Sequence, residues 1–326
     1  MSALEPKVTI GLPVRNGQSH VAEAIESILA QTYINWELIL SDNSSTDDTE
    51  IICRRYAARE PRIRYYRQLD NVGAAANFNR TLELATGQYF KWAAHDDALE
   101  PTWLQRCVNA LEADPGAVLC QSLVTVVDER GQCLETYNHA AFGTGHARQS
   151  ARLAARLEAR RCMDVFGLIR TEVLRESAQI ASHLGADRTL LVELALRGRF
   201  ALVPEYLFRN RSHAERFTRR VRGAADQLAW YDPRKAGQRA LRTWTLYATC
   251  LKLIRRDVPE RAERLRCYLH LVRSLRLYRR WFDLAFEPVV ALVPAAARIE
   301  PALLALAQRV RHALGRRGPV DVKAAP

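Results

Sequence analysis

Short β-type runs alternating with stretches of helical periodicity fill roughly the first two-thirds of the chain, and no other feature limits the fold as much. Val8-Thr9-Ile10-Gly11-Leu12 reads as a buried strand stopped by Pro13, after which Val21, Ala24, Ile25, Ile28 and Leu29 recur at helical spacing. Glu37-Leu38-Ile39-Leu40 predicts a second strand; Ser44-Ser45-Thr46 then supplies capping hydroxyls for a helix through Ile51, Ile52 and Tyr56. Ile63 to Tyr66 is a third strand, Gly73 to Ala85 a third helix, and Gln88 to Ala93 a fourth strand; Leu104, Cys107, Val108 and Leu111 mark the next helix. Parallel strands need such crossovers and are buried on both faces, so the pattern predicts an α/β fold: a mostly parallel sheet flanked by helices. Ligands of these sheets bind beyond the carboxyl ends of the strands. That selects three polar segments, Pro13–Gly17, Ser41–Ser45 and His95–Asp97. Ala117–Val127 reads as a longer strand, and Glu129-Arg130-Gly131-Gln132 as a turn into another.

From about Ala214 the β-signal ends. Leu241, Trp244, Tyr247, Ala248, Leu251 and Ile254 form one helical stripe, and Leu265, Tyr268, Val272, Leu275, Tyr278 and Phe282 another. The expected division is an α/β domain over 1–213, a basic helical region over 214–314 and a flexible tail over 315–326. Charge follows this division. The net +12 arises from residues 198–326, where 27 Lys/Arg face 11 Asp/Glu, whereas residues 1–197 hold 21 against 25. A basic half of this kind suits a membrane surface or phosphate-bearing substrates. It does not suit nucleic acid, because aromatic residues do not interleave with the basic ones and no nucleic-acid-binding signature appears. The apolar stretch Phe282–Ala307 is broken by Glu287, Pro288, Pro294, Arg298, Glu300 and Pro301, so nothing reaches the ~20 apolar residues of a spanning helix. Seven scattered cysteines without C-x-x-C spacing point to free thiols in a reducing cytosol, and Met1–Lys7 has no signal-peptide core.

The chemistry concentrates at His95-Asp96-Asp97. Two adjacent carboxylates repel each other, and ending a strand does not require them. Hard cations such as Mg²⁺ take carboxylate oxygens and leave positions for substrate phosphates. The alternative is a solvated turn opening the next helix.

Val8–Asn16, Ser27-Ile28-Leu29-Ala30-Gln31-Thr32-Tyr33, Trp36–Asp48, Asn71-Val72-Gly73 and His95-Asp96-Asp97, in this order and spacing, closely resemble the inverting family 2 glycosyltransferases of GT-A (Rossmann-like) fold. The resemblance covers about residues 7–210. It implies a nucleotide-sugar donor, a UDP-sugar before others, lying across the first strand ends, with Mg²⁺ or Mn²⁺ on its diphosphate. Pro13, Val14, Arg15 and Asn16 would line the base and ribose, and Asp42 would face the nucleobase or ribose. At this point the chain reads Ser41-Asp42-Asn43, where the commoner pattern has two aspartates; Asp42 also fits an Asx-turn. After the Asn-x-Gly turn, Ala74-Ala75-Ala76 precede Asn77, where the family often has a basic residue. Asp97 would be the direct metal ligand, and Asp96 a second ligand nearer the donor sugar or ribose. Asp187, in Gly185-Ala186-Asp187-Arg188-Thr189, would be the base that deprotonates the acceptor hydroxyl, or a helix cap, with Glu193 as the fallback. Arg209, Arg211 and His213, with Arg216 beyond, would contact the diphosphate.

The expected activity is therefore metal-dependent transfer of a sugar to a glycan or lipid-linked acceptor in cell-envelope or exopolysaccharide synthesis. The expected place is the cytoplasm, with peripheral contact at the inner face of the cytoplasmic membrane. A sugar-nucleotidyltransferase would want a glycine- and basic-rich loop after the first strand, which Gly11–Gly17 supplies poorly. A non-catalytic scaffold would not need Asp42, Asp96, Asp97 and Asp187 together.

Overall fold

A computed structural model of the protein describes residues 5–138, 143–213, 223–277 and 280–292. Arg216, the tail over 315–326 and the part of the Phe282–Ala307 stretch beyond Leu292 lie outside them. Strands β1 (Val8–Val14), β2 (Trp36–Asp42), β3 (Ile63–Arg67) and β4 (Tyr89–Trp92) pair in parallel in the order β3-β2-β1-β4. Helices α1 (Val21–Leu29), α2 (Thr49–Arg59) and α3 (Ala74–Glu83) make the crossovers. In α1 the buried residues are Val21, Ala24, Ile25 and Ile28, the spacing of a single helical face.

β1 continues through Pro13, past the stop expected there. The Gly11 carbonyl accepts from the Ala93 amide on the β4 side, and the Val14 carbonyl accepts from the Asn43 amide on the β2 side. By alternation Pro13 faces β4, whose pairing with β1 has already ended at Gly11–Trp92. The missing N–H therefore breaks no ladder bond.

Beyond β4 the sheet becomes mixed. It includes β5 (Ala98–Leu99), β6 (Ala117–Val127), β7 (Cys133–Tyr137), β8 (Leu168–Arg170) and β9 (Arg199–Arg211), and continues as β4-β8-β6-β9-β5 with β7 on β6. β8 is antiparallel to β4 and β6, while β9 is parallel to β6 and antiparallel to β5. Register shifts around Ser122–Val124 bend the long β6–β9 pair, as bulges do. The end of β9 thus lies beside β5, just past the carboxyl end of β4.

One core lies between the sheet and α1, α2 and α4 (Trp103–Ala113); a second, on Phe90, Trp92 and Ile169, receives α3, α6 (Thr171–Arg175) and α7 (Ala186–Arg197). The basic region contributes α8 (Ala224–Tyr231), α9 (Arg242–Asp257), α10 (Arg261–Ser274) and α11 (Arg280–Leu292). Its core is shared with the N-terminal part. Leu153 and Leu157 of α5 (Gln149–Glu158) and Val192 and Leu196 of α7 pack with Leu246, Cys250 and Ile254 of α9 and Cys267 and Leu271 of α10. α7 is consequently buried nearly all round from Thr189 to Leu196, as a helix packed on two sides must be. Of the expected stripes, Tyr247 and Ile254 are buried, whereas Trp244, Leu251, Leu265 and Val272 are about half exposed or more; α10 instead buries Cys267 and Leu271, which lie outside its expected stripe. These helices carry more apolar residues than one packed face accepts. All seven cysteines are free, five of them buried. Among the described residues no helix is long and apolar enough to cross a membrane.

Candidate active site

The three polar segments at the strand ends are tied into one rim. Leaving β1, Arg15 and Asn16 are exposed while Pro13 and Val14 are buried, so the latter two shape the loop through backbone alone. Asn16 adopts φ +53°, a conformation asparagine tolerates, and its side chain accepts from the Thr46 amide at 2.9 Å. Its own amide donates to Ser45 Oγ at 3.0 Å, and the Gly17 amide to Thr49 Oγ1 at 2.8 Å. Asn43 Nδ2 donates to Asn71 Oδ1 at 2.8 Å, and Asn43 Oδ1 accepts from the Val72 amide at 2.9 Å. Gly73 has φ +86°, and a Cβ there would meet the Tyr231 carbonyl at 2.5 Å. A glycine is needed both for the backbone conformation and for this approach of α8.

Asp42 does not face the rim. Its side chain is fully buried: Oδ1 accepts from the Ser45 amide at 2.8 Å, and Oδ2 from Tyr65 Oη at 2.7 Å and an Arg67 guanidinium N–H at 3.0 Å. Burial, then the Asp42 carboxylate, push the Tyr65 hydroxyl pKa up, so it stays a donor. The Asx-turn alternative matches this geometry, and the expected contact with a base or ribose does not. Ser41 Oγ donates to Asn77 Oδ1 at 2.7 Å, and Asn77 Nδ2 returns to the Ser41 carbonyl at 2.9 Å. Asn77 thereby holds the end of β2 instead of facing a donor.

At the end of β4 the two carboxylates are deeply set, Asp96 9% and Asp97 6% exposed. Asn210 Nδ2 donates to both oxygens of Asp97, at 3.0 and 3.1 Å, and the Arg211 amide donates to Oδ1 at 2.9 Å. His213 Nε2 lies 2.8 Å from Asp96 Oδ2, and the His213 ring packs edge-on against His20 with centroids 4.9 Å apart. Arg211 is spent on the scaffold: its guanidinium donates to the carbonyls of Asp96, Asp128 and Glu129 and pairs with Glu23 of α1. Arg209, opposite Ala98 of β5, pairs with Glu100 at 3.0 Å. Of the basic residues expected on the diphosphate, the structure thus brings His213 to the carboxylates directly and Arg211 as their support, but not Arg209. His95, half-buried against Gly17, has its pKa lowered by burial, with Asp96 pulling the other way. Below the site, Lys91 is fully buried, its ammonium donating to the Phe166 carbonyl and lying 4.3 Å from the Trp103 ring centre. Burial brings its pKa down to about 7.

Two adjacent buried carboxylates offer only hard oxygen donors, and buried charges are costly to desolvate. Mg²⁺ or Mn²⁺ held by one or two carboxylates plus substrate phosphates fits this donor set. Among the described residues no group of three His, Cys, Asp or Glu forms an all-protein cage. Such a cation would be held by Asp97 and Asp96.

Asp187 stands in the first turn of α7 behind Gly185, which caps the helix at φ +76°. It is partly exposed, and its Oδ1 accepts from the Arg188 amide at 2.8 Å. Arg188 pins this turn to the end of α5 through the Ala159 and Arg160 carbonyls. Glu193 is excluded as a base by burial: it pairs with Arg197 and Arg256 and accepts from the Ala178 amide. Sequence reasoning assigned no role to Asn210 or Glu23. An asparagine inside an otherwise buried strand end was the available signal for Asn210.

Comparison with known proteins agrees with this architecture. Over 127 residues the chain is 39% identical to the putative glycosyltransferase EpsE of Bacillus subtilis, covering 39% of this chain and 46% of EpsE. The chain spans under half the length of the curated relatives it matches. The S. aureus TarS 1–349 complex with UDP-GlcNAc superimposes with a TM-score of 0.62 at 14% identity, covering 84% of this chain and 74% of that one. The mannosyltransferase PcManGT of Pyrobaculum calidifontis, in complex with GDP-Man and Mn²⁺, gives 0.54 at 21% identity, covering 96% and 81%. These two likenesses are of fold, which is the GT-A type. The sequence model for glycosyl transferase family 2 matches residues 9–177, over half the chain and the whole rim from β1 to the Asp96-Asp97 pair, and the chain belongs to that family.

Proposed function

We propose that the protein is a metal-dependent inverting glycosyltransferase, moving a sugar from a nucleotide-sugar donor to an acceptor hydroxyl. One observation carries this reading: Asn210, the Arg211 amide and, just past the strand, His213 arrive from more than a hundred residues away to orient two adjacent buried carboxylates. A solvated turn needs no such support. Support for the donor class comes from the structural neighbours, which hold UDP-GlcNAc and GDP-Man, one of them with Mn²⁺. Arg15 and Asn16 are the side chains of the first loop available to base and ribose. Bound at Asp97 and Asp96, Mg²⁺ or Mn²⁺ would supply charge stabilisation for the departing diphosphate. Asp187 takes the proton from the acceptor hydroxyl as its oxygen attacks the anomeric carbon in line with the leaving group, which inverts that centre. His213 holds Asp96 in place during this step.

The proposed organisation is a catalytic domain over 1–213 and a basic helical region over 214–314, working on a glycan or lipid-linked acceptor of envelope or exopolysaccharide synthesis. The half-exposed Trp244, Leu251, Leu265, Leu269 and Val272, spaced along α9 and α10 among arginines, support peripheral contact with an anionic membrane face. The test is nucleoside diphosphate release from a panel of nucleotide-sugars with Mn²⁺. Release by the wild type and its loss in Asp97→Asn are expected; no release with any donor would favour a scaffold.

A further inference from the structure

A second cleft opens beside the turn that carries Asp187, beyond the span matched by the family. Its volume is about 150 Å³, and it lies between the loop over Ser182–Leu184 and the segment from Leu228 to Thr245. Four of its lining groups decide its chemistry: His183, Lys235, Arg239 and Arg242. Among the described residues that line it there is no aspartate or glutamate. The nearby Asp232 is buried and bound on both oxygens by Arg234, at 2.9 and 3.0 Å. Lys235, Arg239 and Arg242 gather like charge around one concavity, and an anion entering it relieves their repulsion.

The cleft is built onto the turn that carries the base. Lys235 Nζ donates to the Ser182 carbonyl at 2.5 Å, which leaves an ammonium two further donors. Arg242 opens α9, and its Nε lies 3.8 Å from where a Gly185 Cβ would be, two residues before Asp187. His183 Nε2 lies 3.4 Å from Thr189 Oγ1, two residues after it. The same segment packs on Gly73 through Tyr231 and Pro233, so it bridges the strand-end rim and the Asp187 turn.

We propose that this cleft is the acceptor subsite and that it takes a phosphate group of the acceptor, placing a neighbouring hydroxyl at Asp187. The proposal rests on the reading of Asp187 as the base. It narrows the acceptor class to phosphate-bearing molecules, either soluble glycan phosphates or lipid-linked ones, and it assigns the recognition to residues outside the matched family span.

The test is direct binding, which does not depend on turnover. The full-length protein, with UDP and Mn²⁺ filling the donor side, is titrated with glycerol 1-phosphate by calorimetry, and with vesicles of phosphatidylcholine with and without phosphatidic acid. Wild type should bind the phosphomonoester. Arg242→Gln and Lys235→Gln should each weaken it by about five-fold or more, while Arg242→Lys keeps most of the affinity. Competition between phosphatidic acid vesicles and glycerol 1-phosphate would identify a lipid source, and binding of glycerol 1-phosphate alone a soluble one. Because Lys235 also holds the Ser182 carbonyl, Arg242→Gln, judged folded by its melting curve, is the deciding variant. Unchanged affinity in that variant would overturn the proposal. Failure of the base reading shows separately, as transfer that survives Asp187→Asn.

Discussion

Replacing Asn210 by alanine tests how the site holds its carboxylates. Asn210 is fully buried, and its amide bridges the two oxygens of Asp97. Hydrogen bonds to a charged partner contribute about 1.5–3 kcal/mol. In the variant the Arg211 amide still donates to one oxygen of the carboxylate. Loss of groups that orient a metal-binding carboxylate typically costs about 10- to 100-fold in metal affinity. That is about 1.4–2.8 kcal/mol, which falls within the hydrogen-bond range. Mn²⁺ affinity measured by calorimetry in the presence of UDP should therefore weaken about 10- to 100-fold, and urea unfolding without metal should show a stability loss of about 1.5–3 kcal/mol. Asn210→Asp, which sets a third carboxylate against Asp97, should be less stable than alanine without cation and should recover when Mn²⁺ is added. A Mn²⁺ affinity within two-fold of wild type in Asn210→Ala, despite lowered stability, would refute the orienting role.

Three further outcomes follow from the same contacts. Glu37 is buried beneath the sheet, and although burial raises its pKa, hydrogen bonds from Thr9, Thr86 and Lys7 outweigh that and bring it down to about 2. A depressed carboxylate stabilises the fold above its unfolded pKa, so Glu37→Gln should cost roughly 3 kcal/mol at pH 7 in urea unfolding, with the gap closing as pH falls from about 4.5 towards 2. Asp42→Asn should lower stability by about 1–3 kcal/mol, because Tyr65 and Arg67 lose a charged acceptor, yet leave the ratio of UDP to GDP affinity within two-fold; a larger shift would return Asp42 to the base. The protein should float with phosphatidylglycerol vesicles at low salt, and Trp244→Glu with Leu265→Glu should abolish this; equal flotation of both proteins would remove the membrane reading.

The parallel half of the sheet is legible in the sequence because each strand and helix there declares itself over a few neighbouring residues. Asp96 and Asp97 are legible because two adjacent acids at a strand end have no local purpose. What cannot be read is whatever depends on distant pairing. Asn210 and Arg211 reach Asp97 across 113 and 114 residues, through the register of β6 with β9 and of β9 with β5. Arg209 and Arg211 look equivalent in sequence and share a face of β9, yet their cross-strand surroundings differ: Arg209, opposite Ala98 of β5, pairs with Glu100, whereas Arg211 lies under the carboxylates. Asp42 misleads for the same reason: its partners Tyr65 and Arg67 come from the neighbouring strand, and burial there decides between a capping carboxylate and a binding one. The apolar stripes predict α9 and most of α10 as helices, although the second stripe runs past the end of α10 at Ser274, and Phe282 lies in α11. They do not say which stripe faces α5 and α7.

Gly73 ties two parts of the protein that could otherwise vary independently. The family-matched region ends long before Tyr231, yet the Tyr231 carbonyl rests where any side chain at position 73 would project. A chimera that joins this catalytic half to the helical region of another relative would therefore be compatible only if both sides of that contact are exchanged together. Recombination between relatives is constrained at this turn, far from any point where the sequence would suggest a seam.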